Sequence, residues 1–136
     1  MDIIPHSITG LPAFALYLVS SLFLLGLFVV IYIWITPYRE FALIREGNVA
    51  AAASLSGTIL GFVIPLAYSV AQSVNLADMA LWGLIALIVQ LLVFFSVTRI
   101  IPGVASDIPA GKVAPGVLLG SLSLATGILN AACMTY

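Results

Sequence analysis

The chain is poor in charge. Its 136 residues include four basic and five acidic side chains, 7% of the total, and the formal net charge is −1. A soluble domain is about one-quarter charged, and a small domain exposes a larger share of its chain than a large one does. So few charges exclude a soluble globule, because they could not keep its surface in water. Four basic residues also provide no electrostatic footprint for nucleic acid.

Reactive and metal-binding side chains are equally scarce. The single cysteine, Cys133, excludes an internal disulfide and a cysteine metal cluster. Cys133 and His6 have no third residue to orient them, as a nucleophilic site would require. No acidic residue falls inside the long apolar runs described next, so the usual carboxylate of proton-coupled transport is absent. We therefore predict no enzymatic activity, no cofactor and no metal site.

Long apolar runs make up most of the sequence. Hydrophobic residues are 63% of the chain, and charges and turn formers divide them into four runs, at about 11–36, 49–73, 79–101 and 113–135. Each is near the roughly 20 residues that a tilted helix needs to cross a bilayer, and unpaired backbone groups in lipid force helical structure. The acidic Asp2 argues against a cleaved signal peptide. The prediction is an all-α integral membrane protein, a single membrane domain over residues 1–136 with four transmembrane helices.

The basic residues predict how these helices are oriented. Arg39 and Arg45 lie in the first connection, and Arg99 and Lys112 flank the third, so all four fall on one side of a four-helix protein. The positive-inside rule makes that side cytoplasmic and places both termini in the periplasm. Aromatic residues typical of interfacial anchors stand near the span ends, namely Trp34, Tyr38 and Trp82.

The first cytoplasmic connection contains the segment "YREFALIREGN", in which two charged pairs flank the apolar residues 41–44. It is predicted to be a short amphipathic segment that lies at the membrane interface. Arg39 and Arg45 would then contact anionic lipid headgroups or a cytoplasmic partner. A capped connecting helix without such a role is an equally good interpretation.

An internal repeat is visible at a shift of 64 positions. This shift aligns Gly47 with Gly111, and with them the sequences "GNVA" and "GKVA". Prolines end the first and third runs at nearly the same shift. We predict duplication of a two-helix unit, with repeat one at about 11–73 and repeat two at about 79–135. Because each unit crosses the membrane twice, the copies would be parallel repeats about an axis along the membrane normal.

Small and polar residues form stripes along the second and fourth runs. They recur at spacings of mostly three and four, which places each stripe on one face of a helix. In lipid, helices associate through small residues and interhelical hydrogen bonds. The second and fourth spans are therefore predicted to be the inner helices, and the first span to face lipid. The stripe residues are Ser54, Gly57, Thr58, Gly61, Pro65, Tyr68 and Gln72 in the second run, and Gly116, Gly120, Ser123, Gly127 and Asn130 in the fourth.

Several questions about these residues stay open in the sequence. The stripes either only hold helices together or also line a polar path, which Pro65 slightly favours because a proline frees a backbone carbonyl group. Gln90, in the third run, either bonds to a neighbouring helix or marks a functional site. The stripes superpose at a shift of 62 rather than 64. Since two residues rotate a helix face by roughly 200°, either the halves use different faces or the alignment slips.

A resemblance to a known family rests on the segments "ITPYREFALIREGNVAAAASLSGTILGFVIPLA", "WGLIALIVQLLVF" and "NAACMTY". In these, and over nearly its whole length, the chain resembles the YjfL family of small bacterial inner-membrane proteins, also called domain of unknown function 350. The resemblance implies a bacterial inner-membrane protein built from repeats of a two-helix unit, without a settled activity. Family members tend to be encoded near phage-shock-type stress proteins and ATP-grasp amide ligases, which implies a role in membrane stress or envelope homeostasis.

The leading hypothesis is a non-enzymatic, channel- or transporter-like protein that self-associates through the second and fourth spans. A dimer is the default homo-oligomer, and a conducted species would pass along Ser54, Thr58, Gly61 and Pro65, with Gln90 beside them. The alternative is a membrane anchor or scaffold that recruits a cytoplasmic membrane-stress protein through the first connection. A third possibility, an intramembrane enzyme acting on lipid or polyamine derivatives, lacks an acid–base pair or metal ligands to support it.

Overall fold

Four long helices form the framework of the chain, and the computed structural model describes residues 8–134. In chain order the helices are α1 (Leu11–Ile35), α2 (Glu40–Arg45), α3 (Val49–Gln72), α4 (Leu76–Ile100), α5 (Val104–Asp107) and α6 (Val113–Cys133). Of these, α1, α3, α4 and α6 are long and apolar enough to cross a membrane. The four predicted spans are thereby confirmed. His6 and the predicted end of the fourth span at residue 135 lie outside the described residues.

Polar side chains determine where α3 and α4 begin. The side-chain oxygen of Asn48 caps α3 by accepting a hydrogen bond from the Ala51 N–H at 3.0 Å. Asn75 caps α4 in the same way, accepting from the Asp78 N–H at 2.9 Å, and the Asp78 carboxylate accepts from the Val74 N–H at 3.2 Å. Such caps satisfy backbone donors that a helix leaves unpaired. They explain why α4 begins at residue 76, earlier than hydropathy predicts.

The first long helix, α1, packs on the others along one narrow stripe. Its buried residues are Leu24, Phe28 and Tyr32, which share one helix face. The Phe28 ring stacks on Phe62 of α3 with the ring centroids 4.5 Å apart, and the Tyr32 ring meets Phe94 of α4 edge-on at 5.4 Å. Many other large apolar side chains of α1 are exposed. This is the surface expected of a span that faces lipid.

The most extensive contact between long helices is the seam between α3 and α6. Small residues allow the two backbones to touch, as is usual where helices associate in lipid. The pairs in contact are Ala50 with Gly116, Gly57 with Gly120, and Gly61 with Gly127. Because the pairs advance in the same direction along both helices, α3 and α6 run parallel to each other.

Two features of the connections recur at the shift of 64 residues. Gly47 and Gly111 both have positive φ angles, 86° and 83°, in a region that favours glycine. The short helices α2 and α5 both begin with a buried residue, which is Glu40 in one and Val104 in the other. These features favour the predicted duplication, which stays a prediction, as does the periplasmic location of the termini.

The discrepancy between the shifts of 62 and 64 has a structural explanation if the duplication is real. At a shift of 64, Gly57 corresponds to Ser121, but Gly57 is buried in the seam and Ser121 is exposed. The two halves therefore bury different faces of corresponding helices. Of the two explanations left open by the sequence, this observation favours different faces over an alignment that slips.

Candidate functional site

One polar side chain from each long helix meets the others inside the bundle. These four buried residues, here called the polar core, are Tyr32 of α1, Thr58 of α3, Gln90 of α4 and Ser123 of α6. The Thr58 hydroxyl lies 3.5 Å from the Tyr32 hydroxyl and 3.3 Å from the Ser123 hydroxyl. The Nε2 atom of Gln90 donates to the Ser123 backbone carbonyl at 3.1 Å. The polar core thus links all four long helices.

Only part of the hydrogen-bonding capacity of the Gln90 side-chain amide is used in this arrangement. Its side chain is fully buried, and its Oε1 atom has no hydrogen-bond partner among residues 8–134. Gly61 of α3 provides the space for its amide, since a Cβ atom at Gly61 would lie 2.8 Å from Gln90 Nε2. Leaving a buried acceptor unpaired costs about 1–3 kcal/mol. The bond to a neighbouring helix is present, but packing alone does not explain the unpaired oxygen.

The middle parts of the two predicted stripes meet in the seam. Tyr68 and Asn130, near the far ends, are half-buried, and Gln72 is exposed at the end of α3. The Nδ2 atom of Asn130 is buried and has no hydrogen-bond partner in the described part of the chain. The buried stripe residues are Ser54, Gly57, Thr58, Gly61 and Pro65 on α3, and Gly116, Gly120, Ser123 and Gly127 on α6.

The seam is closed where a conducted species was predicted to pass. A methyl group added at Gly57 would overlap the backbone carbonyl of Gly120, and one added at Gly61 would overlap that of Ser123. Interiors packed this closely hold few voids as large as a water molecule. In this conformation the described part of a single chain offers no open path along these glycines.

The first connection departs from the predicted interfacial segment. The sequence predicts an amphipathic segment at the membrane interface, but its Glu40 is fully buried, and Tyr38, predicted as an interfacial anchor, is buried as well. The backbone at Arg39 is extended, so it places Arg39 outside and Glu40 inside as α2 begins. The hydroxyl of buried Thr36 lies beside the Glu40 carboxyl group. Thr36, Tyr38 and Glu40 are here called the acid pocket.

The polar atoms of the acid pocket are poorly paired. Neither carboxyl oxygen of Glu40 nor the Tyr38 hydroxyl makes a hydrogen bond of good geometry within residues 8–134. Burial raises the pKa of Glu40 to about 7, and the Thr36 hydroxyl opposes this shift only in part. Burial and, second, the charge of Glu40 raise the pKa of Tyr38 above its ordinary value. A carboxyl group whose charged form is disfavoured in this way exchanges its proton near neutral pH.

Glu40 is not among the site residues predicted from the sequence, because it lies in a connection, outside the apolar runs in which a buried acid would be conspicuous. A signal was nevertheless present. In a helix, Glu40, Leu43 and Ile44 lie on one face because they are three and four positions apart. An acid on the apolar face of a short helix is a candidate for burial. The acid found within the four spans, Asp78, lies in the first turn of α4, so the absence of a carboxylate holds for the interior of the spans but not for the whole bundle.

The four basic residues lie at the end of the bundle that carries α2 and α5, here called the charged end. Arg39, Arg45 and Arg99 are exposed there. Lys112, also exposed, pairs with Asp107 at 3.4 Å. An exposed ion pair of this kind contributes little to stability. These residues are consistent with contact to water, headgroups or a partner, and they do not extend into the polar core.

Four long helices, a buried polar core and sparse charge, with all four basic residues at one end, define a multi-pass α-helical membrane protein. Comparison with known families agrees with this class. The family described as Domain of Unknown Function (DUF350) matches residues 6–134 of the chain. The chain belongs to this family. No solved structure matches it.

Similar proteins from two bacterial species indicate the membrane in which this family is found. The chain is 41% identical to the "UPF0719 inner membrane protein YjfL" of Escherichia coli (strain K12) over 131 residues, which cover 96% of this chain and 99% of the relative. The protein of the same name from Escherichia coli O157:H7 gives the same values. The "UPF0719 transmembrane protein YshE" of Bacillus subtilis (strain 168) is 30% identical over 81 residues, 60% of each chain. The predicted resemblance to the YjfL family is confirmed, and the chain is a multi-pass protein of the bacterial inner membrane.

Proposed function

We propose that the chain is a subunit of a channel or transporter for a small ion or polar solute, which serves the membrane-stress response or envelope homeostasis. The observation that carries this proposal is the unpaired Oε1 atom of Gln90 in the polar core. A packed bundle has no use for a buried acceptor without a donor, whereas a transported species supplies the missing contact. The link to membrane stress rests on the family resemblance alone.

The energies favour a functional reason for Gln90. Its bond to the Ser123 carbonyl contributes about 1 kcal/mol or less between membrane helices. The unpaired oxygen costs about 1–3 kcal/mol. An apolar residue of similar volume would avoid the cost and lose little, so stability does not account for glutamine here. Polar groups retained at such depth in a membrane protein commonly mark a path for ions or solutes.

Transport requires α3 and α6 to move relative to each other. Their backbones touch at Gly57 and Gly120, so the seam as described is closed. The glycines in this contact have no side chains to interlock, which makes sliding of the two helices feasible, as in other shear motions of packed helices. The described conformation is then the closed state of the proposed transporter.

Flux through reconstituted protein tests the proposal. Vesicles that contain the wild-type chain are expected to release potassium, sodium or urea faster than empty vesicles, for at least one of these probes. Gln90→Leu is expected to reduce that flux about tenfold or more, as loss of one hydrogen bond to the moving species would. The matched control is Gln72→Leu, because Gln72 is exposed at the end of α3, and it should leave the flux unchanged.

Two results would contradict this function. One is wild-type vesicles that release all three probes no faster than empty vesicles. The other is Gln90→Leu protein that transports as fast as the wild type. Helical content and thermal stability, measured on the same samples, separate a loss of flux from a loss of fold.

Self-association is part of the same proposal. The glycines of the stripes are used inside one chain, so a second copy needs another surface. The exposed side of α6 carries a second row of small residues, which suits close approach of helices in lipid. Its members are Ala114, Ser121, Ala125 and Ala132. A parallel dimer through this row is the simplest symmetric arrangement.

Crosslinking through Cys133 tests this contact, because it is the one cysteine in the chain and is exposed near the end of α6. A short bis-maleimide is expected to convert most wild-type protein in membranes to a crosslinked dimer. Ala125→Leu should lower the yield severalfold, since a larger side chain separates the helices. Ala67→Leu, on the exposed side of α3, should not. Wild-type protein that stays monomeric, or equal yields from both variants, would exclude this dimer.

The alternative function, a membrane anchor or scaffold, is supported by the outer side of α2. Phe41 is exposed beside the exposed side chains of Arg39 and Arg45. This mixture suits a cytoplasmic partner or anionic headgroups, provided that the charged end faces the cytoplasm as proposed. A chain that shows no flux, but binds a stress-response protein through these two arginines, would favour this function over transport.

A further inference from the structure

We propose that the acid pocket is a proton-binding site, in which Glu40 binds a proton from water at the charged end and controls the seating of α2 on α3. The geometry alone singles out Glu40. It is fully buried, and apart from the nearby Thr36 hydroxyl neither of its oxygens has a polar neighbour in hydrogen-bonding geometry among residues 8–134. The Tyr38 hydroxyl beside it is also buried and makes no hydrogen bond of good geometry among the same residues. Nothing in the transport mechanism proposed above uses this pocket.

The charges around Glu40 show why a proton, rather than an ion pair, neutralises it. On its own connection, Arg39 and Arg45 are exposed. The ionisable group that α1 directs to this region is the phenol of Tyr32, which interacts electrostatically with Glu40. The one ionisable residue of α3, Tyr68, is near the other end of that helix.

The remaining elements at the charged end supply no cation to the pocket either. Arg99 at the end of α4 is exposed. Lys112, before α6, pairs with Asp107 of α5. A carboxylate left buried without a partner or a cation is strongly disfavoured, and it takes up a proton instead. Burial accordingly raises the pKa of Glu40 to about 7.

The fold does not require a carboxyl group at this position. At the shift of 64, Glu40 corresponds to Val104, which begins α5 and is equally buried. A valine fills the corresponding place without any polar partner, so the acid serves a purpose other than packing. A metal ion is a poorer occupant than a proton, because hard cations usually take six or more oxygen ligands, whereas a proton needs one.

The site lies close to the surface of the bundle. A surface hollow of about 340 Å³ lies beside the connection, and its lining includes Pro37, Tyr38 and Glu40. When Glu40 loses its proton, its charge favours contact with water, which requires α2 to turn away from α3. The short helix is followed by Gly47, whose φ of 86° marks a sharp change of chain direction. Control of solute access by this movement would rest on the proposed transport function, but proton binding does not.

Infrared difference spectroscopy on protein in vesicles tests the site directly. A protonated carboxyl group has a C=O band that disappears on ionisation. For the wild type, a band of this kind is expected to disappear with a midpoint near pH 7. Glu40→Gln should remove the band. The matched control is Glu46→Gln, because Glu46 is exposed on the same connection, and it should keep the band and its midpoint.

Two outcomes would overturn the proposal: a wild-type spectrum without a band that titrates near neutral pH, or a band that persists in Glu40→Gln. If Glu40→Gln does not fold, Glu40→Val repeats the test with the residue found at position 104. The infrared measurement does not depend on whether the protein transports a solute. A failure of transport therefore leaves the proton site intact, and a missing band leaves the flux result intact.

Discussion

Replacing Gly57 with alanine is expected to destabilise the bundle by about 3 kcal/mol or more. A Cβ atom at this position would overlap the carbonyl oxygen, the carbonyl carbon and the Cα atom of Gly120. Because these are backbone atoms, no side-chain rotation relieves the overlap, and α3 and α6 have to separate along the seam. Alanine does favour helix by about 1 kcal/mol relative to glycine, but the overlap outweighs this gain. Reversible unfolding in mixed micelles measures the change in free energy of unfolding.

Gly26→Ala is the matched control for this prediction. Gly26 lies in the middle of α1, and a Cβ atom there would meet no other atom within 4 Å. The same substitution should therefore leave the stability unchanged or raise it by up to about 1 kcal/mol. If Gly57→Ala is as stable as Gly26→Ala, the two helices are not in backbone contact in the membrane, and the closed seam would have to be abandoned.

Raising the pH from about 4.5 to about 7 is expected to destabilise the wild-type protein by an amount on the order of 3 kcal/mol. Burial raises the pKa of Glu40 from 4.5 to about 7. The folded protein keeps the Glu40 proton in a pH range where the unfolded chain has already released it. Rising pH therefore favours the unfolded state across that range. The stabilisation that comes from the retained Glu40 proton is fully present below about pH 4.5, and it is lost by the time the pH exceeds about 7.

Thermal unfolding in detergent at a series of pH values measures this dependence. Glu40→Gln cannot ionise, so its stability should change little over the range in which the wild type loses stability, and above neutral pH it should exceed that of the wild type. Glu46→Gln changes an exposed acid on the same connection and should follow the wild type. A wild-type stability that rises with pH would contradict the burial of Glu40.

Much of the fold is predictable here because, in a bilayer, each membrane-spanning helix can be recognised from its own residues. A run of apolar residues long enough to cross lipid becomes a helix whatever its neighbours are. The four spans could therefore be found one at a time, and small residues on α3 and α6 identified the helices that approach most closely. The start of α4 was missed because the Asn75 cap is a local polar signal that hydropathy does not weigh.

The polar core was only partly predictable. Thr58, Gln90 and Ser123 were recognised as polar residues within apolar runs, but Tyr32 was not singled out, since a tyrosine near a span end is usual at a membrane interface. Its burial depends on how α1 docks against Phe94 of α4. The tertiary contact that brings a hydroxyl from α1 next to Thr58 has no counterpart in the local pattern.

The sequence by itself determined that this is a four-span inner-membrane protein of the DUF350 family, because hydropathy, span length and family likeness can all be read along the chain. Only the tertiary structure decided which polar groups are cut off from water. Glu40 lies in a connection whose sequence predicts a position at the membrane interface. It is nevertheless buried, while Arg39 next to it is exposed. The physical reason is that burial depends on the docking of α2 on α3, and solvation, not sequence position, determines whether a carboxyl group keeps its proton.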